Sequence, residues 1–138
     1  MPPDPTPLPN THRAIHPRLV GEPVEIAAGR AIAALVTLPE MAADDRGLVH
    51  GGFVFGLADY AAMLAVDDPN VVLGSAEVRF SKPVRVGEKL TAHAVIEETD
   101  RRRSKVLVEV FRDGEMVMAG TFSCFTLDRH VLDKEEPR

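Results

Sequence analysis

The sequence predicts an α+β domain in which a mostly antiparallel sheet curls around one long apolar helix. Two observations carry this. From Gly51 to Val66 the chain is apolar, with Asp59 as its only charged residue. A helix that is apolar nearly all round must be buried on more than one side. After it come segments of strand character joined by short turns, which close a sheet rather than a helical bundle. A length of 138 residues is that of one domain with a real core.

Residues 1–18 read as a flexible or extended arm, because Pro2, Pro3, Pro5, Pro7 and Pro9 remove backbone donors and supply little apolar surface. Residues 19–138 read as the single folded domain. Val24 to Leu38 is lightly charged and broken by Ala28-Gly29-Arg30, so it reads as two short strands around a turn. Met41 to Val49 is a loop whose turn chemistry lies in Asp44-Asp45-Arg46-Gly47. The helix follows, to about Val66. Asp67-Asp68-Pro69-Asn70 ends it, since proline disfavours helix at the residue before it.

Val71 to Pro83 carries β-branched residues and leads into a turn at residues 84–88. Leu90 to Thr99 alternates, with Leu90, Ala92, Ala94 and Ile96 on one face. Asp100 to Ser104 reads as a charged turn and Lys105 to Phe111 as a strand. Arg112-Asp113-Gly114-Glu115 is a strong hairpin signal before the last strand, Met116 to Leu127. The tail from Asp128 is polar and expected to fray.

Composition excludes several function classes. A formal net charge of -5 argues against a general nucleic-acid binder, though not against a local basic patch for a phosphate-bearing ligand. Cys124 is the only cysteine, so neither an intrachain disulfide nor a cysteine zinc cluster is expected. His12, His16, His93 and His130 form no convincing metal set. The run Gly51–Val66 is too short for a bilayer. With no basic-apolar leader at the start, a cytoplasmic location is the expectation.

The chemistry concentrates in His50-Gly51-Gly52 and Asp59. A helix start leaves N–H groups open and favours negative charge, and glycine lets a ligand approach the backbone closely. A carboxylate within an apolar helix is costly unless it is paired or used. One end is thus suited to hold a carbonyl oxygen, the other to attack its carbon. Gly51 and Asp59 lie eight residues apart, or about 12 Å along a helix axis. One carbonyl cannot reach both within a subunit. If both act on one substrate, a second helix must run antiparallel beside the first, as a two-fold dimer provides. His50 either orients the glycine turn or contacts the substrate.

His50-Gly51-Gly52 followed by Leu57-Ala58-Asp59, with Phe80-Ser81-Lys82-Pro83-Val84-Arg85-Val86-Gly87 after the helix, resembles the hotdog-fold acyl-CoA thioesterases, closest to the phenylacetate-pathway branch. The similarity runs from Val24 to Leu127. It implies a hotdog fold and a homodimer or dimer of dimers that hydrolyses acyl-CoA without a further cofactor. It also implies that the glycine amides polarise the thioester carbonyl and that Asp59 serves as base or nucleophile. The family often carries asparagine near the position of Asp44, and a second polar residue on the strand after the helix that Ser75 would match. Lys82 and Arg85 are candidate contacts for the coenzyme A phosphates, with Arg79 and Arg101–Arg103 behind them.

Two alternatives stand beside this reading. Asp45 and His50 have the five-residue separation of some hotdog hydratases, but Arg46-Gly47 replaces the Asn-Pro that usually accompanies the pair. A non-catalytic acyl-CoA-binding protein would share the fold without needing Asp59.

Overall fold

The computed structural model describes residues 6–135. Pro2, Pro3 and Pro5 of the arm lie outside them. Six strands form one antiparallel sheet in the order β1-β2-β4-β5-β6-β3. They are β1 (Glu22–Ala27), β2 (Arg30–Val36), β3 (Val71–Phe80), β4 (Lys89–Asp100), β5 (Arg103–Arg112) and β6 (Glu115–Thr126). A helical turn, α1 (Pro17–Val20), precedes the sheet, and the long helix α2 (Gly51–Val66) lies between β2 and β3 in sequence.

Helix α2 packs against all six strands. That is the solution its composition demands. Leu57, Ala58, Ala61, Ala62 and Leu64 are fully enclosed, facing inward residues such as Leu90, Ala92, Val106, Val108 and Phe122. This is a hotdog fold, a sheet wrapped around a central helix. The small residues of α2 let the strands approach it closely, and the enclosed apolar surface supplies the main stabilising term.

The helix ends where the sequence places it. Asp67 takes a left-handed conformation and its N–H donates to the Met63 carbonyl, closing the last turn. The Asp113-Gly114 hairpin has both central residues at positive φ, as a type I′ turn requires. The expected turn at Asp100 to Ser104 is tighter than its charges suggest. Asp100 pairs with Arg103 in the ladder, and only Arg101 and Arg102 make the turn, with Arg101 at positive φ. Charged side chains facing water do not prevent backbone pairing, so composition overstates the loop. The polar tail carries one short 3₁₀ segment, Val131–Glu135.

The described part of the proline-rich arm returns to the far end of α2. Asn10 donates from its backbone N and its Nδ2 to the two oxygens of Asp67, at 2.7 and 3.0 Å. Thr11 is buried, and the His12 ring lies 6.4 Å from that of Tyr60.

Candidate active site

His50 is the cap residue of α2, extended in backbone, and its side chain makes no capping bond. The first bond back into the cap runs from Phe53 N to His50 O at 3.0 Å. The N–H groups of Gly51 and Gly52 find no acceptor among the described residues. The two glycines differ in their surroundings. A side chain on Gly51 would lie 3.6 Å from the Phe80 ring, ordinary contact, whereas one on Gly52 would meet His50 Nε2 at 2.9 Å. The His50 imidazole therefore stands where a side chain on Gly52 would go, edge-on to Phe53 at 6.1 Å, while Gly52 itself stays exposed.

Asp59 lies two turns further along, on the same side of the helix as Gly51. Its Oδ1 is buried and has no hydrogen-bond partner. Burial pushes its carboxyl up from the ordinary 3.8 to about 6. Cys124, on the inward face of β6, is its neighbour. Burial first, and the nearby Asp59 charge second, push that thiol up to about 12. Between the two ends sits Phe55, half-buried, its ring 5.5 Å from that of Phe122. Along the helical stripe Gly51, Phe55, Asp59, the first thus faces Phe80 and the second leans on Phe122. Of these, Phe55 was readable from the sequence by its i, i+4, i+8 spacing, while Phe122 and Cys124 carried no local signal.

The remaining sequence candidates distribute unevenly. Asp44 Oδ1 accepts from the N–H groups of Arg46 at 2.9 Å and Leu48 at 3.1 Å, so it braces the loop that leads into the helix. Ser75 follows a β-bulge between Leu73 and Ser75 and pairs with Ser123. The register puts Ala76, not Ser75, on the sheet face of the buried Phe122, with residues 74–77 of this edge strand exposed. Lys82 and Arg85 lie beside the helix start. Leu48 bridges to Arg85, and Val49 N donates to Val84 O at 2.8 Å. Lys82 Nζ is 3.0 Å from Glu115 Oε2, whereas the Arg85 side chain has no ion-pair partner among the described residues. Arg101–Arg103 stand at the other end of the sheet: Arg103 pairs with Phe125, whereas Met118 pairs with Phe80 beside Gly51. Arg102 pairs with Asp128, and Arg103 donates to Ser123 Oγ at 3.1 Å. No cluster of His, Cys, Asp and Glu among the described residues could hold a metal ion. No helix among them is long and apolar enough to cross a membrane.

The wrapped sheet thus carries a glycine-led helix start and, two turns on, a carboxylate with a buried, unpartnered Oδ1. Residues 46–119 match the thioesterase superfamily model, and the chain belongs to that superfamily. The structure is similar to that of protein PH1136 from Pyrococcus horikoshii, with 52% identity, a TM-score of 0.90, and coverage of 94% of this chain and 100% of that one. It is also similar to a mutant of phenylacetic acid degradation protein PaaI from Thermus thermophilus, with 31% identity, a TM-score of 0.73, and coverage of 79% and 95%. Among curated proteins it is 49% identical over 119 residues to methylthioribose-1-phosphate isomerase from Aquifex aeolicus, covering 86% of this chain but 26% of that protein. It is 31% identical over 93 residues to transcription factor FapR from Halalkalibacterium halodurans, covering 67% of this chain and 50% of that protein. The chain therefore spans about a quarter to a half of the curated relatives it matches.

Proposed function

We propose that this chain hydrolyses acyl-CoA thioesters at two equal sites, each shared between two copies. The observation that carries the reading is the buried, unpartnered Oδ1 of Asp59, two turns along the helix whose start leaves the amides of Gly51 and Gly52 open. The amides of one copy bind the thioester oxygen and stabilise the negative charge that develops on it, each essential donor contributing about 3–4 kcal/mol. Asp59 of the second copy faces the carbonyl carbon. As general base it takes a proton from water as the water oxygen adds to the carbon. The C–S bond then breaks, and coenzyme A leaves as the thiol. As nucleophile it forms an acyl-aspartyl anhydride with loss of coenzyme A, and water then opens the anhydride. A carboxyl raised to about 6 is ionised at neutral pH yet still a useful base. Strand β3 supports the dimer: it is a ten-residue edge strand with Gly74 to Glu77 exposed, an open rim that a second copy can extend.

Arg85, next to the helix start and without an ion-pair partner among the described residues, is the candidate contact for the phosphates of coenzyme A, with Lys82 beside it joining only by giving up Glu115. Arg101–Arg103 of one copy could reach only a site whose amides belong to the other. Hydrolysis of an acyl-CoA panel by the wild type and by Asp59→Asn tests the reading. Turnover in the wild type that vanishes in the variant supports it, and equal turnover in both refutes it.

A second reading is a binding module without catalysis, favoured by the similarity to proteins named transcription factor FapR. It predicts tight acyl-CoA binding with no release of free thiol. The intact Asp59 favours the hydrolase.

A further inference from the structure

Successive steps of four residues along an α-helix advance about 6 Å and rotate about 40°. Gly51, Phe55 and Asp59 therefore form one stripe, with Phe55 midway in both height and angle. In a shared-site dimer Gly51 of each copy faces Asp59 of the other. The two-fold axis must then pass through the midpoint of that pair, which is Phe55 itself. The ring already has the right setting. One flank rests on the fully enclosed Phe122 at 5.5 Å, while Phe55 keeps exposed surface in the middle of a helix whose neighbours Val54, Leu57 and Ala58 are buried. An aromatic flank left open there needs a cover, and the two-fold supplies another Phe55.

The direction of the substrate follows from the basic residues. Lys82 and Arg85 stand beyond the start of α2, where Leu48 and Val49 bridge to their segment. With the nucleotide on that side, the acyl carbon points the other way, along the stripe toward residue 55. We propose that Phe55 stands on the two-fold axis of the dimer and, with Phe55 of the partner subunit, forms the wall that limits acyl length at both sites. The substrate class is then a short or compact acyl group, since about 6 Å separates the carbonyl from the ring along the helix axis. This inference rests on the shared-site reading above and adds the specificity element to it.

Two measurements on the full chain test it, neither of which requires turnover. The first is cross-linking of Phe55→Cys with a short bis-maleimide. Native Cys124 is buried, so the wild type is the control for background. A covalent dimer formed by the variant alone is expected, and its absence overturns the axial placement. The second is binding of non-hydrolysable S-alkyl-CoA thioethers, from ethyl to dodecyl, by wild type and Phe55→Ala. The ratio of long-chain to short-chain affinity should rise by about tenfold or more in the variant, as expected for a pocket wall removed. An unchanged ratio overturns the specificity role, even where the cross-link forms. Failure of the hydrolase reading shows separately, as wild type that binds the thioethers yet releases no coenzyme A from the matching thioesters.

Discussion

Asp59 should be a site where activity costs stability. The folded chain holds the Asp59 proton more tightly than the unfolded chain does, because burial disfavours the carboxylate and nothing pairs with it. A rise from 3.8 to about 6, at about 1.4 kcal/mol for each tenfold change in proton affinity, amounts to roughly 3 kcal/mol. That stability is fully present below pH 3.8 and is lost as pH rises through about 6, after which the penalty is constant. Asp59→Asn removes the charge but leaves a buried amide with unmet bonds, which costs back about 1–2 kcal/mol. At pH 8 the variant should therefore be more stable by about 1–2 kcal/mol, raising Tm by several degrees, while hydrolysis is lost. Thermal melts of both proteins at pH 4, 6 and 8 read this directly, and the gap should widen between pH 4 and 7. A variant that is less stable at pH 8, or a gap that does not change with pH, would refute a buried unpaired carboxylate.

The kcat/KM of wild type should rise with pH and reach half its plateau near pH 6, measured on one acyl-CoA across pH 5–8; a flat profile contradicts Asp59 as the working base. Gly51→Ala should keep or raise Tm, because the new methyl meets only the Phe80 ring at 3.6 Å and alanine favours helix, yet lower kcat about tenfold by crowding the carbonyl. Gly52→Ala should instead displace His50, which a shift of the His50 ring resonances would report. Arg85→Ala should lower kcat/KM for acyl-CoA by no more than about 1 kcal/mol and leave the matching N-acetylcysteamine thioester unchanged, with a smaller difference at high salt. Cys124 should resist thiol reagents at pH 8 in the native protein and react after denaturation, since burial pushes its thiol up to about 12.

Much of the fold was legible in the chain. An apolar run with one charge had to become the enclosed helix, and Asp67-Asp68-Pro69 had to end it. Asp113-Gly114 set its hairpin by turn chemistry alone. What failed to show depends on pairings between distant residues. Asn10 reaches Asp67 across the fold, and no local pattern near either residue signals that contact. Ser75 matches the family's polar position by count, but the bulge before it shifts the register so that Ala76 shares the sheet face of Phe122. Bulges leave only weak traces in composition. Lys82 looks like a free phosphate contact until β6 brings Glu115 to it. Gly51 and Asp59 suggest the proposed chemistry by residue type, and if both act on one carbonyl their separation on one helix calls for a second copy.

Subunit complementation tests that shared site most directly. Asp59→Asn and Gly51→Leu should each be inactive alone. Refolded together in equal amounts, half the dimers are mixed, and each mixed dimer holds one intact site built from Gly51 of one copy and Asp59 of the other. Activity should recover to about a quarter of the wild-type value, as two-fold sharing requires. A mixture no more active than its two components would mean that each site lies within one chain, and the shared site would be wrong.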